Sequence, residues 1–179
     1  MVCALSEGRP RYEDHASLHA EVLPAARALA DRFLRLADED SAAYATYAAA
    51  MKLPRETDEQ QETRKQAIRD AARIASAVPF QCVEACAELV GLAEALAGRS
   101  NRNASSDLEV AGLLAVAAVR AAAANVQVNL PAIEDETAAS DLLLRSEQIA
   151  SEVERLAGTV RKVVRSGAPR PPLHPGVPA

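Results

Sequence analysis

Aromatic side chains are almost missing from this sequence. Its 179 residues hold no tryptophan, two phenylalanines and three tyrosines. A core without them must be filled by alanine, valine and leucine, in helices that approach closely. Glycine is scarce at seven, and valine, isoleucine and threonine form no alternating runs, which argues against a sheet. Cysteine is limited to Cys3, Cys82 and Cys86. With no further cysteine or histidine close to them in sequence, they form no zinc-ligand pattern and read as buried or free thiols. No Glu-x-x-His pair of the kind that builds metal sites inside bundles occurs, so no metal and no cofactor are expected.

Positive charge is also in deficit. The net charge is -5, with no basic face and no aromatic interleaving, which speaks against nucleic acid as a partner. The apolar run from Val110 to Val119 ends at Arg120, too short to span a bilayer. The opening MVCALSEGRPRYED turns polar after five residues, so no secretory signal is read. A cytoplasmic protein without a membrane partner is the expectation.

What is present is helical periodicity. Leu18, Val22, Leu29, Phe33 and Leu36 fall on one stripe of a helix from Tyr12 to about Lys52. Pro24 is expected to kink or restart it, and Leu53-Pro54 to end it. Thr57 and Gln60 form a capping box opening a helix to about Val78. Pro79 then suits the first residue of a third helix, to about Ala97. GRSNRNAS (98–105) is a polar connection. Ser106 and Glu109 read as a second capping box, opening an apolar helix to about Leu130 that is expected to be central and buried. The last helix spans about Asp135 to Arg165. Residues 166–179 carry five of the ten prolines and are expected to be a disordered tail. The fold class is therefore all-α: a bundle of long, largely antiparallel helices in one domain, residues 1–165.

Five segments carry more than periodicity. They are MVCALSEGRPRY, LADEDSAAYATYAAAMKLPRET, the Ala-Val-Pro at 77–79, NRNASSDLEVAGLLA and NVQVNLPAIEDE. In order and spacing they resemble the cyclodeaminase domain of formiminotransferase-cyclodeaminase and the stand-alone methenyltetrahydrofolate cyclohydrolases. The resemblance implies a long-helix homodimer acting on a folate. Its implied reaction is hydrolysis of the 5,10-methenyl bridge of tetrahydrofolate to the 10-formyl compound, or ring closure of the formimino compound with loss of ammonia. The family's Gly-rich P-G-G-G-S/G loop, which precedes its first helix, is not found in this sequence. A non-catalytic helical module of the same fold is the competing reading.

The resemblance also nominates residues, each with a plainer alternative. Asp40 matches the second Asp of a D-x-D motif and would act as acid, base or charge partner of the amidinium. Alternatively it is one acid of the solvated run Asp38-Glu39-Asp40. Asp107 would hold a protonated nitrogen, with Ser106 beside it as a substrate-binding residue, or the two would simply cap the helix. Asn125 and Asn129, four apart on one helix face, would bind the pterin edge or a neighbouring helix. Arg9, Arg11 and Tyr12 match a basic cluster suited to the glutamyl tail, or are surface charge. His15, His19 and His174 match nothing in the family and read as surface residues.

Overall fold

Thr57 and Gln60 close the start of the longest helix as predicted. The Gln60 amide N–H donates to Thr57 Oγ1 at 3.2 Å, and Gln60 Oε1 accepts from the Thr57 N–H. The structure, a computed structural model, describes residues 1–173. Four helices make the body: α1 (Ala16–Ala50), α2 (Asp58–Leu96), α3 (Ser105–Asn129) and α4 (Glu136–Ser166). Short 3-10 turns at Pro10–His15, Arg102–Ala104 and Leu130–Ala132 lead into or join them, and no strand is found among the described residues. Cross-helix contacts show that successive helices run antiparallel. His19 near the start of α1 meets Arg99 beyond the end of α2. Asn129 at the end of α3 meets Ala75 in the middle of α2. Arg120 of α3 pairs with Glu147 and Glu154 of α4.

The buried stripes are regular. On α1, Val22, Leu29, Leu36, Ala43 and Ala50 recur every seven residues. On α4, Ser146, Ala150, Val153, Ala157 and Val160 alternate steps of four and three. Both patterns are those of closely packed, near-parallel helix axes. Small side chains at these positions let the backbones approach, which answers the shortage of aromatic volume.

Three expectations are corrected. First, Pro79 does not start a new helix: α2 runs unbroken through it. Second, the central helix is α2, which packs against α1, α3 and α4. α3 buries Leu108, Ala115, Val119 and Val126 but leaves Val110, Leu113, Leu114 and Val128 exposed, the last at 77%. α2 and the stretch 102–132 are long and apolar enough to cross a membrane by length and composition, α3 more so than its short run suggested; in the fold both are bundle helices. Third, Ser106 is not a cap. α3 begins at Ser105, and the preceding turn is capped by Asn101, whose side chain accepts from the Asn103 N–H.

The expected tail from residue 166 is ordered at its start. Gly167 ends α4 in the left-handed conformation at φ 62°. The Arg170 N–H then donates to the Gly98 carbonyl at 2.9 Å, and Arg99 Nε donates to the Pro171 carbonyl at 2.6 Å. The Arg170 guanidinium also pairs with Glu94 at 2.7 Å. This segment is a clasp across the α2–α3 corner. Residues 174–179, including His174, lie outside the described residues.

Candidate active-site groove

The stripe on α1 that includes Ala26, Phe33, Asp40 and Tyr47 also repeats every seven residues. Asp40 therefore occupies a position where the pattern calls for an apolar side chain. It is exposed nonetheless, because α1 and α3 both pack along α2 and barely touch each other, leaving a trough between them. Near its middle the trough forms a groove of about 320 Å³. Phe33, Leu36, Ala37 and Asp40 line one wall, Ala118, Ala121, Ala122 and Asn125 the other, and Val78, Pro79 and Cys82 the floor. An acid and an amide thus share a largely apolar cleft, the general form of a small-molecule site.

The floor depends on how α2 accommodates Pro79. A proline inside a helix cannot donate to the carbonyl four residues back. That carbonyl belongs to Ala75, and Asn129 Nδ2 donates to it at 2.7 Å. Asn129 is thereby committed to α2 and does not line the groove. The pair Asn125 and Asn129, expected to act together, is divided between cleft and scaffold.

Cys82 on the floor is a free thiol, as expected for the three cysteines. It is half-buried, while Cys86, one turn on, is fully buried. Four residues apart, the two side chains lie on one face of α2. The neighbouring Cys86 thiol pulls the Cys82 thiol down to about 7, against burial and the charge of Asp40, with Arg32 assisting. The same pairing, with burial, pushes Cys86 up.

The remaining nominated residues lie at the other end of the trough. Asp107 is half-buried in the first turn of α3 and lines a second, more apolar hollow of about 240 Å³ with Met1, Val2, Cys3 and Leu108. Eighteen residues of α3 separate it from Asn125, about 27 Å along the axis. Asp40 and Asp107 of one chain therefore do not form a pair. Ser106 is exposed beside it. Arg9, Arg11 and Tyr12 sit in the first 3-10 turn and its approach, about 36 Å along α1 from Asp40 when measured from Ala16. Arg9 opens on a hollow over His19, Arg11 on another beside Arg102 and Gly167, and Tyr12 lines both. The Tyr12 hydroxyl accepts from the Arg102 N–H at 3.1 Å, which ties this turn to the α2–α3 connection.

Two residues not nominated hold that corner together. Asn101 donates its side-chain amide to the Leu5 carbonyl at 2.9 Å and its backbone N–H to Ser6 Oγ at 2.8 Å. His19, expected at the surface, is 1% exposed, and its Nε2 donates to the Arg99 carbonyl at 2.9 Å. His15 is half-buried beside it, at a ring separation of 6.4 Å. Among the described residues, no cluster of three or more His, Cys, Asp or Glu is placed to hold a metal ion.

A helical bundle with an acid and an amide across an apolar cleft defines a class of site rather than one reaction. Comparison with known proteins narrows it. The profile of the family described as formiminotransferase-cyclodeaminase matches residues 1–148, and the chain belongs to that family. It is 32% identical over 166 residues to the methenyltetrahydrofolate cyclohydrolase of Methylorubrum extorquens, covering 93% of this chain and 80% of the relative. It is 34% identical over 136 residues to the formimidoyltransferase-cyclodeaminase of Gallus gallus, of whose length it spans only 25%. The crystal structure of formiminotetrahydrofolate cyclodeaminase from Thermotoga maritima shares the fold, with a TM-score of 0.81 at 24% identity over 93% of this chain and 79% of that one.

Proposed function

We propose that this chain is a tetrahydrofolate one-carbon enzyme, a methenyltetrahydrofolate cyclohydrolase. The observation that carries this reading is the similarity along 93% of the chain to a cyclohydrolase, 80% of whose length is matched. In this reaction water attacks the amidinium carbon between N5 and N10. The resulting tetrahedral carbon releases N5, which takes up a proton, and 10-formyltetrahydrofolate remains. The Asp40 carboxylate is suited to two tasks here: countering the amidinium charge and accepting the proton of the attacking water. A placed acid or base of this kind contributes about 10²–10⁴-fold. The apolar walls suit the pterin ring, and the Asn125 amide, with a donor and an acceptor, suits its polar edge.

The distance between Asp40 and the cluster of Asp107, Arg9, Arg11 and Tyr12 bears on assembly. The exposed apolar stripe of Val110, Leu113, Leu114 and Val128 on α3 favours a homodimer, in which one copy's groove meets the other's basic end. A cytoplasmic setting fits a soluble folate substrate.

The second reading is the cyclodeaminase reaction, in which N10 attacks the formimino carbon on N5 and ammonia leaves. It is favoured by the similarity to the vertebrate proteins. Both reactions pass through a tetrahedral carbon between two nitrogens and make the same demand on Asp40. Loss of methenyltetrahydrofolate absorbance and release of ammonia from the formimino compound, measured on one preparation, separate them. Catalysed hydrolysis is expected. Ammonia release without it would replace the first reading by the second, and silence in both assays would leave a non-catalytic helical module.

A further inference from the structure

The corner where the C-terminal clasp crosses α2 and α3 gathers positive charge that the fold does not neutralise. Along the bundle, Arg32, Arg69, Arg120 and Arg145 each hold a carboxylate. Arg11 and Arg102 hold none among the described residues, and both line one hollow of about 70 Å³. His15, Ser105 and the clasp residues Gly167 to Pro169 complete much of its wall, and no Asp or Glu contributes. The chain carries 25 acids against 20 lysines and arginines, so an acid-free hollow with two uncompensated arginines runs against its composition. Arg99 strengthens the field. It lies between Gly98 and Ser100, which both line the hollow. It is 4% exposed, and its hydrogen bonds go to carbonyls, those of Pro171 and Ala95. The nearby acid, Glu94, is pledged to Arg170 at 2.7 Å. A buried cation without a counter-charge is costly, and an anion in the adjoining hollow offsets that cost. His15 feels the same field: burial first, then the charges of His19 and Arg99, hold its pKa down, and Asp14 opposes them. The start of α3 adds the positive end of its dipole. Ala104 at the cap position supplies no side-chain acceptor, and Asp107 in the first turn lines the other hollow. The rim is shaped to admit Arg102: a Cβ at Gly167 would sit 2.6 Å from Arg102 Nη2.

We propose that the hollow under the clasp is a phosphate-binding site, gripped by Arg11 and Arg102. Two forked guanidiniums match the oxygens of a phosphate in pairs. The hollow suits a phosphoryl group and is small for a fused ring, against about 320 Å³ in the groove. The surplus of positive charge favours a doubly charged group over a single carboxylate. Seated there, the phosphate lies against Gly167, Ala168 and Pro169 and holds the clasp in place. The site needs no turnover and does not rest on the folate reading, since Asp40 and Asn125 line a different cavity.

The experiment follows the His15 imidazole of the full-length protein by NMR while inorganic phosphate, glycerol phosphate, glutamate or chloride is added at matched ionic strength. Calorimetry gives the affinities in parallel. Phosphate is expected to saturate one site per chain, to raise the His15 pKa and to slow amide exchange at Arg170. Arg11 and Arg102 are exposed, so their variants keep the fold. Arg102→Gln and Arg11→Gln are each expected to weaken phosphate binding about tenfold or more. Arg27→Gln, which removes an exposed charge elsewhere on α1, is expected to bind phosphate as the native protein does. Tighter binding of glycerol phosphate than of inorganic phosphate upholds the site and assigns the group to an ester. No saturable phosphate binding, or an equal response to all four anions, overturns the proposal, because the latter is screening. Tighter binding of glutamate overturns it too and makes the hollow a carboxylate site. So does a loss in Arg27→Gln equal to that in Arg102→Gln, since overall charge would then account for the binding.

Discussion

Asn129 supplies to Ala75 the hydrogen bond that Pro79 withholds. The donor comes from the end of α3, 2.7 Å from the carbonyl that a helical N–H at position 79 would otherwise meet. An unpaired, part-buried carbonyl costs about 1–3 kcal/mol, so Asn129→Ala is expected to destabilise the fold by that amount. If the explanation holds, Pro79→Ala restores a backbone donor and makes Asn129→Ala cheaper. Urea denaturation of the two single variants and the double variant tests this: the double loss should fall short of the sum by about 1 kcal/mol. Additive losses would mean that Asn129 serves something other than the proline gap.

Asp40 makes the opposite forecast. It is exposed, and it has no hydrogen bond or ion pair among the described residues. Asp40→Asn is expected to leave the thermal midpoint nearly unchanged, as surface substitutions do, within about 0.5 kcal/mol. It is expected to lower kcat for methenyltetrahydrofolate hydrolysis by about 10²-fold or more. A fully active variant would return Asp40 to the solvated acidic run.

The C-terminal clasp ranks two glycines. Gly98 lies at φ 75°, and a Cβ there would sit 2.9 Å from the Ala168 carbonyl oxygen and 3.1 Å from a Val163 methyl. Gly167, at φ 62°, would meet the mobile end of Arg102 at 2.6 Å. Left-handed backbone alone costs a side chain about 1–2 kcal/mol. Gly98→Ala is expected to exceed that figure, because backbone must move, and to loosen residues 168–171. Gly167→Ala is expected to stay near it. Denaturant midpoints give the ranking, and amide exchange of Arg170 reports the clasp.

Acid acts on the same corner. Burial first, then the charges of His19 and Arg99, hold His15 below the ordinary histidine range, and its Nδ1 is enclosed without a partner. The unfolded chain therefore binds a proton at a pH where the folded chain does not. The contribution of neutral His15 is complete above the ordinary histidine pKa and is lost as pH falls through and below it. The thermal midpoint is expected to drop between pH 7.5 and 5.5, and to drop less in His15→Asn. An identical slope in both would clear His15.

Much of this fold was legible because its rules are local. The Thr57–Gln60 cap, the heptad spacing of Val22 to Ala50 and the polar break near Gly98 each lie within a short window. Pro79 was misread because its remedy lies 54 residues away from Ala75 in sequence. α3 looked buried because alanine and valine cover all its faces, and sequence does not say which face meets a neighbour. The cap before α3 was assigned to Ser106 on spacing, whereas Asn101 had already turned the chain. At the site, the motif brought out Asp40 and Asn125, and the structure sets them in one groove. It could not bring out Cys82, whose place on the groove floor with Asp40 depends on how α1 packs along α2.

The trough between α1 and α3 has one more consequence. Two long helices lean on a shared keel and scarcely meet, so each is steadied from one side only. A molecule that reached both Asp40 and Asn125 would be the brace between them. Its arrival should stiffen the whole span from Phe33 to Asn125, and heat should part those helices at a visibly higher temperature when the brace is in place.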